Sequence, residues 1–313
     1  MKNLISYLGL SALMAIVLTG CSKQHPITLE DSLELAVEEI FADDLYEDVF
    51  SESFDILFDP SDYYTFKSGI GDVEDEGHWC RTKTVEHPDN TKYPKVVTID
   101  FGDGCKDRHG HIRSGKMIIT INGKYREEVS SRVITFDNYF VNGNQLMGTR
   151  TITNSGYNGD GHLVFTISLP DGKIIRADGL EIERFVDKTR EWVEGEDTRI
   201  RRDDVFVING TVTKTKGTVQ ITKTITAVHR PMSCRWPVSG TVEVSTSDDR
   251  PDAIIDFGEG KCDKWATITI GGETWRIDLK KRGKKWKKEH DKDDDGVEKE
   301  DEDEDNDDDK DND

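Results

Sequence analysis

"DVFVINGTVTKTKGTVQITKTIT" (Asp204–Thr226) is the stretch whose reading decides the fold. In an extended chain Thr222, Thr224 and Thr226 share one side, while Ile221 and Ile225 share the other with Lys223 between them. A period of two with one apolar side is the mark of a β-strand that buries a single face. Asn209-Gly210 tolerates positive φ at both residues, so it predicts a two-residue hairpin turn.

Outward from this stretch the same character runs from about Trp79 to Leu279: "KVVTIDF" (Lys95–Phe101), "KMIITING" (Lys116–Gly123), "HLVFTISLPDGKIIRADGLEI" (His162–Ile182) and "ATITIGGETWRIDL" (Ala266–Leu279). Asn122-Gly123, Asn142-Gly143 and Pro170-Asp171-Gly172 punctuate the run as further predicted turns. No useful helical period interrupts it, so the crossovers that parallel strands need are missing. The expected fold is mostly β: an antiparallel meander forming a large sheet, a sandwich or an open barrel.

Two phrases recur. "IDFGDGC" (Ile99–Cys105) and "IDFGEGKC" (Ile255–Cys262) each end in a cysteine, and each has another cysteine upstream, Cys80 and Cys234. Four cysteines allow three pairings. If each unit closes on itself, Cys80 pairs with Cys105 and Cys234 with Cys262, each contributing about 3 kcal/mol through loop closure. Asp100 and Asp256 then cap glycine turns, with Gly102, Gly104, Gly258 and Gly260 expected at positive φ; the alternative is that Asp100 and Asp103, and likewise Asp256 and Glu259, hold Ca2+. His78, His87, His109 and His111 lie near the first cysteine pair, but their spacing matches no compact zinc pattern. A second echo joins "DNYFVNG" (Asp137–Gly143) to "DVFVING" (Asp204–Gly210). Because the order is Cys unit, Asn-Gly unit, Asn-Gly unit, Cys unit, a simple tandem duplication does not account for it.

Lys2 followed by the apolar run Leu4–Leu18 predicts a signal peptide over residues 1–20. It ends in Leu18-Thr19-Gly20-Cys21, which resembles the lipobox of bacterial lipoproteins. That resemblance implies acylation at Cys21, and several acyl chains together hold a protein in a leaflet. Ser22 and Lys23 follow without an aspartate of the inner-membrane retention type, which points to the outer membrane of the cell envelope. Residues 21–27 are then a lipid-anchored tether, 28–77 an acidic helical segment and loop, 78–279 the β domain with its two cysteine units, and 280–313 a basic, then acidic, disordered tail. Leu33, Val37, Ile40 and Phe41 have helical spacing with acids on the outer face, and Thr28 with Asp31 predicts a capping box.

The formal charge is −21, of which −14 belongs to Glu289–Asp313. The remainder is too nearly balanced for general nucleic-acid binding. Asp291, Asp293, Asp295 and Glu302 satisfy the spacing of a Ca2+ loop, although a segment so rich in acids meets that pattern easily. Weak Ca2+ binding at the tail is the one cofactor expectation. "KKRGKKWKK" (Lys280–Lys288) before it suits anionic head groups or neutralisation by the tail itself.

The series of lipobox, acidic helical segment, "FGDGC", "GKMIITINGKYR" and "TFDNYFVNGNQLMGTRTITN" resembles uncharacterised β-rich lipoproteins of the Bacteroidetes type over about Thr28 to Asn154. It implies an envelope location and brings no catalytic residue. Nucleophile elbows, zinc-protease helices and phosphate-binding loops are absent from the sequence, and "TNSGYNGDGH" (Thr153–His162) lies between strands, not at a helix start. The expectation is a membrane-anchored binding or structural module, held to the bilayer through Cys21 and facing an envelope protein or glycan. The alternatives are a carrier of hydrophobic ligands with the acidic helix as lid, and an envelope hydrolase with a dispersed site.

Overall fold

The computed structural model describes residues 28–41, 81–88, 91–106, 110–198, 200–281 and 286–288. The expected signal peptide (1–20) and tether (21–27), the acidic segment beyond Phe41 and the acidic tail lie outside the described residues.

A single helix, α1 (Leu29–Phe41), precedes the strands. The capping box forms as expected: the Thr28 N–H donates to Asp31 Oδ2 at 2.7 Å and the Asp31 N–H to Thr28 Oγ1 at 3.2 Å. Leu33, Ala36 and Val37 form its buried face.

The strands are β1 (Thr82–Glu86), β2 (Lys95–Asp100), β3 (Cys105–Lys106), β4 (Ile112–Ile121), β5 (Ser131–Val141), β6 (Asn144–Met147), β7 (Arg150–Tyr157) and β8 (Leu163–Ile175). They continue as β9 (Glu181–Glu194), β10 (Val205–Lys216), β11 (Val219–Pro231), β12 (Ser239–Thr246), β13 (Ala253–Glu259), β14 (Trp265–Ile270), β15 (Glu273–Asp278) and β16 (Trp286–Lys288). All belong to one antiparallel sheet ordered β1-β2-β4-β5-β6-β8 and then β9 to β16 in sequence, with β3 on β4 and β7 between β5 and β8. The meander is therefore a continuous sheet, with β1 and β16 at the two ends of its order.

Period-two burial gives the sheet an inner and an outer face. Two apolar clusters occupy the inner face. One spans β2 to β10 and includes Ile99, Met117, Ile134, Phe165 and Trp192. The other spans β11 to β15 and includes Ile255, Ile268 and Trp275, with Leu33 and Val37 of α1 packed into it.

Of the predicted turns, Asn142-Gly143 is a hairpin turn, joining β5 to β6 with φ of 50° and 78° and Val141 opposite Asn144. The others differ. Asn122-Gly123 opens the nine-residue connection from β4 to β5 because Tyr125 leaves the surface: it is buried and its ring lies 4.7 Å from that of Phe165. Asn209-Gly210 lies within β10, where the register on β11 skips between Ile208 and Gly210. Its glycine is required by close approach, since a Cβ there would come 2.3 Å from the Asp187 carbonyl oxygen. Pro170-Asp171-Gly172 likewise lies within β8, at a skip between Leu169 and Gly172. These are β-bulges, which let strands of 12 to 14 residues twist and coil without ending. The echo between residues 137–143 and 204–210 thus ends in a hairpin once and in a bulge once.

The cysteine units do correspond. Asp100 Oδ1 accepts the Gly102 N–H at 2.8 Å, and Asp256 Oδ1 accepts the Gly258 N–H at 2.8 Å. Gly102, Gly258 and Gly260 have positive φ as expected, whereas Gly104 does not. Phe101 and Phe257 are both buried beside these turns.

Candidate binding face

Cys234 and Cys262 are disulfide-bonded with a Cα–Cα distance of 5.7 Å, tying the β11–β12 connection to the turn after β13. Cys105 is also disulfide-bonded, while Cys80, its expected partner, and Cys21 lie outside the described residues. Asp291, Asp293, Asp295 and Glu302 lie outside them too.

The outer face is built by strand alternation. Between the buried residues the outward positions are mostly polar, and on the central strands threonine recurs among them, with apolar exceptions such as Ile254 and Phe185. Register aligns these side chains into rows across the sheet. Thr153 pairs with Thr166 and Thr166 with Thr189 across β7, β8 and β9. Asp187 pairs with Thr211 and Thr211 with Thr224, which faces Glu243. Phe185 pairs with Thr213, Thr213 with Thr222 and Thr222 with Ser245. Thr226 pairs with Thr241, and Thr241 with Asp256. All these threonines are half-buried or exposed. Strand spacing near 4.8 Å and a repeat near 6.8 Å along each strand therefore set out a regular grid of hydroxyl and methyl groups.

Local contacts on this face include Ser155 Oγ to Thr166 Oγ1 at 2.8 Å and Thr269 Oγ1 to Thr274 Oγ1 at 3.0 Å. Hydroxyls both donate and accept, and their methyl neighbours add apolar contact. Phe185 is 44% exposed within this grid, beside Asp187 and opposite Thr213. An aromatic ring flanked by hydroxyls and a carboxylate suits a flat polyhydroxylated ligand, which offers C–H faces to the ring and O–H groups to its surround.

One end of the central strands carries a second polar cluster. Glu191 Oε1 lies 2.6 Å from His162 Nδ1 and accepts Asn158 Nδ2 at 2.7 Å. The His162 hydrogen bond is the main cause that holds the Glu191 carboxyl below the ordinary carboxylate value. Tyr157 donates its hydroxyl to Glu196 Oε1 at 2.6 Å, which pushes the phenol above its ordinary pKa. The loop "TNSGYNGDGH" is thus the β7–β8 hairpin, as its position between strands predicts, and its Asn158 Oδ1 accepts the Asp160 and His162 N–H groups.

The inner face holds what sequence reasoning missed. Its even-numbered β9 positions read Ile182, Arg184, Val186, Lys188, Arg190 and Trp192, so three cations are interspersed with three apolar residues on the inner side. The Arg190 guanidinium lies 5.3 Å from the Phe165 ring and 5.0 Å from the Phe206 ring, and donates to the Tyr125 hydroxyl at 2.9 Å. Glu39 of α1, expected on the wet side, is buried: its Oε2 accepts Lys214 Nζ at 2.7 Å, and its carbonyl accepts Lys223 Nζ at 3.0 Å. The Lys223 within "ITKTIT" was the visible signal, a charge on the apolar side of a strand.

No family model matches the chain, and no curated protein or solved structure matches it.

Proposed function

We propose that this chain is an envelope lipoprotein, anchored to the outer membrane through acylated Cys21, whose β body works as a binding module. Its ligand is a glycan or glycan-bearing partner received on the threonine grid around Phe185. The observation that carries this reading is the cross-strand alignment of half-exposed threonines with an exposed aromatic ring on the outer face.

The inner face is a poor alternative for binding a greasy ligand, since it takes up α1 and buries cations such as Arg184 and Lys188. The carrier reading therefore has less support.

The test is co-sedimentation of the full mature chain with peptidoglycan sacculi and with purified envelope polysaccharide. Phe185→Ala and the pair Thr211→Lys with Thr224→Lys should lower binding at least tenfold while leaving the circular dichroism spectrum unchanged. Retained binding in both variants removes the outer face from the reading.

A further inference from the structure

Two rows of outward side chains run beside each other across the strands. The first reads Ser168 on β8, Asp187 on β9, Thr211 on β10, Thr224 on β11, Glu243 on β12 and Ile254 on β13, each opposite the next. The second begins at Phe185 on β9 and continues through Thr213 and Thr222. All of these residues are half-buried or exposed. Both rows lie where the register of β9 to β12 is unbroken, clear of the skips at Ile208, Thr226 and Ser239. Phe185 and Ile254, both exposed and apolar, stand at opposite ends of this track. They are four strand steps apart, about 19 Å measured across the strands.

We infer that the ligand of this face is a linear glycan without acidic groups, lying across the strands from Phe185 to Ile254. The inference rests on the glycan reading above and names the ligand's shape and charge. Sheet twist turns successive strands about an axis that crosses them, so a row across the strands keeps to one line while a row along a strand coils away from it. A straight ligand therefore meets more side chains across the strands than along them. An extended 1,4-linked pyranose chain advances by roughly one strand spacing per ring, so about five rings reach from Phe185 to Ile254. Each ring then meets a hydroxyl or a carboxylate of the first row, with an apolar side chain under either end. The charges along the track are negative. Glu183 and Asp187 flank Phe185 on β9, and Glu243 stands next to Ile254. Lys173, outward on β8, is paired with Glu181 at 2.6 Å. Outward neighbours on one strand are about 6.8 Å apart, inside the screening length of about 8 Å at physiological salt, so a uronate or phosphate on the ring over Phe185 is repelled. Sugar O–H and ammonium groups, by contrast, donate hydrogen bonds to these carboxylates.

Binding of the full mature chain to an array of linear 1,4-linked oligosaccharides tests this, with chains of two to eight rings in neutral, amino and uronate forms. Neutral or amino chains should bind at least tenfold more tightly than uronate chains of equal length, with affinity rising up to about five rings and level beyond. Preference for uronates, or affinity independent of length, overturns the inference. So does binding to sacculi or envelope polysaccharide with none to the array, an outcome that spares the glycan reading. Binding to no glycan at all removes that reading as well. Ile254→Asp supplies the second measurement, at an exposed position where the fold tolerates a polar side chain. It should weaken five-ring binding at least threefold and leave two-ring binding at Phe185 unchanged. Equal effects on both lengths, or none on either, overturn the inference.

Discussion

Glu191 shows how one side chain on this sheet couples to pH. Its carboxyl is held below the ordinary value of 4.5, first by the hydrogen bond from His162. A carboxylate with a depressed folded pKa contributes stability above its unfolded pKa and loses it as pH falls through the folded value. The loss therefore begins below about pH 4.5, and it is small because both side chains are partly solvated. In His162→Ala the Glu191 titration, followed by carbon NMR, should move up toward the ordinary value; an unchanged midpoint would remove His162 as the cause. This pair joins residues 29 apart, and no local pattern in the sequence announces it. Asp100 and Asp256 were legible by contrast, because an aspartate two residues before a glycine N–H needs only its own turn to form the bond.

Strands in this protein are long because their irregularities are absorbed within them. Gly115 of β4 has φ of 76°, and a Cβ there would sit 1.9 Å from the Asn138 carbonyl oxygen on β5. Gly115→Ala should destabilise the chain by about 2 kcal/mol or more, combining left-handed strain with a backbone clash. Chemical denaturation measures it, and a loss under half that figure would mean that the bulge relaxes easily. Strand identity was legible from alternation, as in Thr222 to Thr226. The fate of each Asn-Gly pair was not. Asn142-Gly143 turns the chain while Asn209-Gly210 only kinks it, although the two asparagines bond alike to a neighbouring strand: Asn209 Oδ1 accepts the Ala227 N–H of β11 at 2.7 Å and Asn142 Oδ1 the Ile112 N–H of β4 at 2.9 Å.

At the scale of the molecule, Glu39 joins the helix to the centre of the sheet. Glu39→Gln keeps the shape but removes the carboxylate that compensates two buried ammonium groups, at a cost of about 3–5 kcal/mol. Urea unfolding of the intact chain reads this directly, and a cost below 1 kcal/mol would show the pair to be dispensable. Alternation and turn residues by themselves determined that this chain is an antiparallel β-protein with a capped helix ahead of it, since those features depend on neighbours in sequence. That its strands form one sheet with two inner clusters, that Glu39 is buried, and that threonines from separate strands align into a grid were decided by tertiary structure. Register, and the choice of which charges share a buried face, arise only when segments distant in sequence meet and exclude water together.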